Sequence, residues 1–277
     1  MSDCIYCQKD AGFFKSKHSD CEAKHTGGCS ALNSLLMNAF VNGVDFYTID
    51  KQIKSIALDS YINSEKLNQI YLNTFDDAIL RYLNDGIIAD VEKKTVARFQ
   101  QYTGLSQQVL NLNKSLEKVV QSDILQSVLN GVIPTPAITI QGSLPFMIGK
   151  DEKILWVFRD VELVEQKVKR EFVGRSQGMS FRVMKGVYYR VGGFKGSPIE
   201  TTQMISIGRG ILVLTDKTIY YNCQQKSLKI PFKKLISIEP YSDGVGFQKD
   251  GASSKPFFLK GMDSWFTYNL IINLQTI

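Results

Sequence analysis

The residues best equipped for chemistry are crowded at one end of the chain. Four of the five cysteines and both histidines lie before residue 30, spaced as Cys4-x2-Cys7, His18-x2-Cys21, His25 and Cys29. Two cysteines separated by two residues can grip one ion from a tight turn, and a second pair at the spacing of a helix start completes a tetrahedron. Gly12, between the pairs, suits a returning hairpin. Cys4, Cys7, His18 and Cys21 are therefore the expected ligands, with His25 and Cys29 in reserve one and two helical turns further on. Four protein ligands leave no open position, so the expected ion is a structural zinc rather than a catalytic one. The N-terminus lacks the basic and apolar regions of a secretory signal, which points to a reducing cytoplasm where clustered thiols hold metal rather than form disulfides.

The same inventory argues against an enzyme. Both histidines are committed to the knuckle, so a histidine-based nucleophile or acid–base pair would have to share it. Gly208-Arg209-Gly210 leads into a strand rather than a helix and is no phosphate loop. Cys223 sits within an apolar run as a core thiol would, and Glu239 with Asp243 is only a pair of turn acids. A calcium loop ending at Glu92 fails because its first and third positions are Arg81 and Leu83, where oxygen donors are required.

Charge marks a second region. The first 135 residues are nearly balanced, whereas residues 136–277 carry twenty basic and twelve acidic groups, a net excess of eight. Residues 167–195 hold Lys167, Lys169, Arg170, Arg175, Arg182, Lys185, Arg190 and Lys195 against one acid, Glu171, with Phe172, Phe181, Tyr188, Tyr189 and Phe194 interleaved. This is the pattern of a basic β-arm, set at residues 167–200. Arg182, Lys185 and Arg190, with Lys226 and Lys229 from later strands, are the candidate contacts for an anionic ligand. That ligand can be a phosphate on a lipid head group at a peripheral membrane surface, an acidic protein surface or, less favoured, nucleic acid. A solvated sheet face without a partner is the plain alternative.

The elements that must position these residues fall into two kinds. From Glu22 to about Gly131 the chain reads helical. Leu32, Leu35, Leu36, Ala39 and Phe40 keep a 3.6-residue period up to Asn42-Gly43. Leu67, Ile70, Tyr71, Phe75, Ala78, Ile79 and Tyr82 keep another. Asp90 is the expected cap of a helix ending at Gly104, and Ser106 of a short one. Leu112, Leu116, Val119, Val120, Leu125, Val128 and Leu129 form the last stripe before Gly131. Pro134 and Pro136 mark a boundary. Beyond it come strands at 153–158 and 161–168, then a meander over 210–250 with turns at Thr215-Asp216-Lys217 and Ser242-Asp243-Gly244. A helix capped by Asp263 or Ser264 closes the chain, with Trp265, Phe266, Leu270, Ile271 and Leu274 on its buried side.

Two resemblances follow from these residues. The Asp85-Gly86-Ile87-Ile88…Glu92 turn and the ending Leu129-Asn130-Gly131-Val132-Ile133-Pro134 resemble the TerB-like helical bundles of bacterial tellurite resistance, over residues 48–134. Asp76, Asp77 and Asp85 are fewer acids than the metal-binding members use, so no metal role is implied there. The stretches at 210–220 and 230–238 and the final Trp-containing helix resemble bacterial pleckstrin-homology-like and GRAM-like domains. The combination resembles a family of uncharacterised bacterial proteins and implies a binding role and no reaction; the alternatives are a nucleic-acid contact made by the knuckle and basic arm together in a stress or phage-defence setting, and a protein scaffold through the helical bundle. The expected architecture is α+β: a zinc knuckle at 1–30, a helical bundle at 31–134, and a PH-like antiparallel β-barrel at 145–277 capped by a C-terminal helix.

Overall fold

A computed structural model describes residues 2–134, 144–172, 181–184, 187–189, 198–251 and 255–277; for strand residues between 168 and 202 it describes the backbone alone. The chain is α+β and divides into two compact units, Met1–Val132 and Ile133–Ile277.

In the first unit, helix α1 (Ser19–Asn42) is followed by α2 (Asp50–Asp59), α3 (Ser64–Tyr82), α4 (Asp90–Thr103), α5 (Gln107–Leu110) and α6 (Ser115–Leu129). The expected periodicity forms the core: Leu32, Leu36, Phe40, Ile70, Phe75, Ala78 and Ile79 are buried. Phe99 is its hub, with ring centroids 4.7 Å from Phe40, 5.0 Å from Phe46 and 5.9 Å from both Tyr71 and Phe75. Polar ties register the helices. The Tyr82 hydroxyl donates to the Phe40 carbonyl at 2.7 Å, and Thr74 Oγ1 donates to Asn33 Oδ1 at 2.6 Å. Gly28 lets α1 pass against the α2–α3 connection, since a Cβ there would stand 2.1 Å from Ser60 Oγ.

Several expectations about helix ends are corrected. Asp90 is the first helical residue of α4 rather than its cap; Glu92 reaches back to accept the Ala89 N–H at 2.8 Å and does the capping. Leu112 precedes α6 and is exposed, and Leu129 at its end is half-exposed. Ser106 caps α5 as expected, accepting the Val109 N–H.

The second unit is built on a seven-stranded antiparallel sheet. Its strands are β1 (Ile154–Phe172), β4 (Pro198–Thr215), β5 (Thr218–Cys223), β6 (Ser227–Pro231), β7 (Leu235–Tyr241), β8 (Gly244–Lys249) and β9 (Phe257–Lys260); β2 (Phe181–Met184) and β3 (Val187–Tyr189) form a separate hairpin. The order across the sheet is β6-β5-β4-β1-β9-β8-β7, so the first strand lies in the middle and holds both the second and the last strands of the sheet. Helix α7 (Ser264–Leu274) is capped by Asp263, whose Oδ1 accepts the Phe266 N–H at 2.9 Å. It packs on β7 and β8, while its Phe266 ring lies 5.6 Å from Trp156 of β1. One helix touching the central strand and the far strands requires the sheet to curl around it as a half-barrel. The sheet is open at β6 and β7, which the short 3-10 turn Phe232–Lys234 joins. Trp265 is not on the buried side as expected: it is 48% exposed, and Phe266 fills the core instead.

The two strands expected at 153–158 and 161–168 are one. Pairing with β4 continues through a register shift between Phe158 and Val161, where Asp160 adopts a left-handed φ of 59° and takes a 2.7 Å hydrogen bond from Arg209. A bulge absorbs the extra residues without ending the ladder. Beyond the reach of β5 and β9, residues 166–172 and 198–204 pair only with each other among the described residues, through Phe172 opposite Pro198. Lys167, Lys169 and Arg170, the first basic residues of the segment, are therefore carried out of the sheet on a prolonged β1–β4 ribbon.

Candidate metal centre

The first knuckle pair is made by a tight backbone loop. Cys4 N–H donates to the Lys9 carbonyl at 2.7 Å and Gln8 N–H to the Cys4 carbonyl at 2.8 Å, with Gln8 in the left-handed region at φ 57°. A single bridge pairs Asp3 with Asp10. The second pair comes from the start of α1: His18 occupies the N-cap position and Cys21 lies in the first turn. The helix start thus does what the His18-x2-Cys21 spacing anticipates, turning both side chains toward the loop.

One donor atom from each of Cys4, Cys7, His18 and Cys21 lies within 4.8 Å of the other three. His18 Nδ1 is 3.4 Å from Cys7 Sγ and 3.7 Å from Cys21 Sγ. A tetrahedral ion with nitrogen at about 2.0–2.1 Å and sulfur at about 2.3 Å needs donors separated by roughly 3.5–3.8 Å, so the set is able to hold a metal. The tautomer fits as well. His18 Nε2 is 3.0 Å from the Asp10 carbonyl, which can only accept, so the proton sits on Nε2 and the Nδ1 lone pair faces the three sulfurs.

Electrostatics inside the cluster favour a thiolate. Burial raises the Cys4 thiol, but the backbone N–H groups of Cys7, His18 and Tyr6 outweigh it and bring its pKa from 9.0 down to about 6. The Cys7 thiol and the Asp10 carbonyl raise the pKa of His18. Cys21 is raised, by burial and then by its neighbours Cys7 and Cys4. A cation at the centre would relieve this crowding of would-be anions.

His25 and Cys29 stand outside the four-donor group. They face one another along α1, with Cys29 Sγ 3.7 Å from His25 Nε2, while His25 Nδ1 donates to the Ser60 carbonyl at 2.9 Å. Tyr6, from the loop between Cys4 and Cys7, lies over His25 with centroids 4.7 Å apart and joins the knuckle to the helical body. That contact has no signature in sequence, because it depends on the loop folding first.

The anion-contact candidates are distributed differently. Arg182 is placed on β2 by its backbone, and Lys185 and Arg190 lie outside the described residues. Lys226 and Lys229 are already occupied. Lys226 Nζ is 2.5 and 2.7 Å from the two carboxylate oxygens of Glu165, and Lys229 lies 4.0 Å from Glu152 and over the Tyr220 ring at 5.0 Å. Glu152 also accepts from Thr215 Oγ1 at 2.9 Å and Tyr220 OH at 3.0 Å, which fixes the approach to β1 against β4 and β5. Neither acid could be matched to its lysine from sequence, since the partners are 61 and 77 residues apart. No described helix is long and apolar enough to cross a membrane.

No protein-family model matches the sequence, and no curated protein matches it. Two solved structures align over 94% of this chain: the linker-DH/PH domains of p115-RhoGEF, at 7% identity over 73% of that chain with a TM-score of 0.24, and the DH/PH domains of PDZ-RhoGEF in complex with activated RhoA, at 8% identity over 70% of that chain with a TM-score of 0.23. At those TM-scores the likeness supports no argument about this protein.

Proposed function

We propose that the chain is a non-enzymatic adaptor whose N-terminal cluster holds a structural zinc and whose PH-like sheet carries a basic arm that grips an anionic ligand or acidic surface in a reducing cytoplasm. Zinc is the ion that suits three sulfurs and one imidazole in a tetrahedral set, and four protein donors leave it no site for substrate. When bound, it locks the loop to α1; Cys4, Cys7, His18 and Cys21 hold it, and the Asp10 carbonyl orients His18. The TerB-like and GRAM-like resemblances and a bacterial stress setting belong to this reading.

The observation that carries the binding role is the prolonged β1–β4 ribbon, whose paired backbone beyond the sheet includes Lys167, Lys169 and Arg170, the first three of the eight basic residues of the segment. A ribbon held by its own ladder can present charge away from the sheet at low entropic cost. Arg182, Lys185 and Arg190 make the contact. Lys226 and Lys229, held by Glu165 and Glu152, brace the sheet beneath it.

Reversal of Arg170, Arg175, Arg182 and Arg190 to glutamate tests this. At about 1 kcal/mol per basic residue near an anionic surface, the variant loses binding to an immobilised polyanion by two orders of magnitude or more, and the wild type shows a steep salt dependence. Elution of variant and wild type at the same salt concentration refutes the arm as the contact.

A further inference from the structure

The metal knuckle also bears a feature that neither its ligands nor its packing require. Phe13 and Phe14 are 78% and 98% exposed, their rings 5.5 Å apart edge to face, at the tip of the loop between the two ligand pairs. Ile5, on the adjoining stretch, is 65% exposed. Isolated apolar side chains on a surface are ordinary, but two adjacent aromatic rings presented almost whole to solvent are not.

The backbone holds them out. Phe14 has φ 59°, a left-handed conformation uncommon for a bulky residue, and Gly12 before it has φ 88°. Both feet of the loop are pinned. Ala11 N–H donates to the Ser2 carbonyl at 3.0 Å, Ser2 Oγ to the Lys15 carbonyl at 2.6 Å, and Ile5 N–H to the Ser16 carbonyl at 3.0 Å. Gly12 N–H is taken by Asp10 Oδ1 at 2.9 Å. The charged residues that flank the tip in sequence are Lys9, Asp10 and Lys15, all exposed, and Lys17, which pairs with Glu22; Asp3 bridges to Asp10.

We propose that the Phe13–Phe14 tip inserts into the outer layer of an anionic lipid bilayer, with its rings among the acyl chains and Lys9 and Lys15 at the head-group phosphates. The shape selects this occupant. A specific protein interface needs about 800 Å² on each side, and two rings that bury roughly 150–250 Å² each fall well short of it. A bilayer needs only a small convex apolar tip with cations at its rim. The inference is independent of the basic arm, since it rests on a different unit of the chain.

The test uses the full-length chain with vesicles of phosphatidylcholine, with and without phosphatidylserine. Phe14→Trp provides a reporter, and wild type, which has Trp156 and Trp265, is the control. Brominated acyl chains should quench Phe14→Trp beyond wild type. Phe13→Ser with Phe14→Ser should lower partitioning about tenfold or more with an unchanged thermal melt, as the side chains are exposed. Lys9→Glu with Lys15→Glu should weaken binding to the anionic vesicles more than to the neutral ones. An unquenched reporter overturns the proposal, as does a serine variant that partitions as wild type does, or a wild type that does not partition. Quenching that persists in the arm-reversed chain supports insertion even where the arm reading fails.

Discussion

Two parts of the first unit are held together by different physics. In the helical body, Phe99 touches four aromatic rings, and Leu32, Leu36, Ile53, Phe75 and Ile79 are sealed from solvent. In residues 2–18 only Cys4 and Ala11 are buried. Burial of apolar area stabilises the body at roughly 25 cal/mol per Å², and the same term has almost nothing to act on in the loop. Cross-links must replace burial there, and the four donors are placed to supply them. Freed from forming a core, the loop can leave Phe13 and Phe14 in solvent, an arrangement the body could not tolerate.

The largest effect expected from this contrast is on metal removal. Structural zinc in small finger peptides is bound with an apparent free energy of about 10–16 kcal/mol, and without it such modules are unfolded. Chelation, or Cys7→Ser with His18→Ala, should therefore release about one ion per chain and abolish amide protection over residues 2–18. Protection in α3 and α4 should survive. Hydrogen exchange with metal analysis measures both. Concerted loss of protection in α3 and α4 would show that the body leans on the knuckle and would end the contrast.

Phe99→Ala probes the other side. Removing a fully buried aromatic ring costs about 3–5 kcal/mol, because the surrounding rings collapse only partly into the space. The variant should melt well below wild type while its metal content per folded chain stays the same. A Phe99→Ala protein of unchanged melting temperature would mean that the aromatic hub is not what holds the body.

The same contrast explains what could be read from sequence. Periodic burial is local, so the stripes of α1 and α3 were legible, and so was the hairpin at Thr215-Asp216-Lys217, where residues 210–214 do pair with 219–223. Local Cys/His spacing likewise marked the four residues that come together. Helix α2 was not distinguished, because Ile53 and Ala57 are its only buried side chains. The continuity of β1 was hidden by Arg159-Asp160, which reads as a break and is a bulge. What escaped altogether depends on distant partners: Glu165 for Lys226, Glu152 for Lys229, and Tyr6 for His25. Phe13 and Phe14 gave the opposite difficulty, since an aromatic pair in a sequence suggests burial.

Between core and cross-link lies a third kind of tie, a polar one at the rim of the body, and it should give the smallest effect. Asp50 opens α2, accepts from Lys54 Nζ at 2.7 Å and takes the Tyr102 hydroxyl at 3.0 Å. The Lys54 hydrogen bond lowers its pKa, burial opposes this, and Tyr102 lowers it further. A carboxyl whose native pKa lies below its unfolded value of about 3.9 contributes its full stabilisation above that pH and loses it as pH falls through the lowered native value. Asp50→Asn should thus lower stability slightly near neutral pH, and the two proteins should converge as pH falls through the lowered native pKa of Asp50. Metal leaves a thiolate site at higher pH than this, because the ligands must be deprotonated. In acid the order should therefore be loss of the knuckle first, then of the Asp50 tie, with the aromatic body last. Urea unfolding of both proteins across this range checks it, and a stability gap between Asp50→Asn and wild type that does not close in acid would remove the carboxylate as its cause.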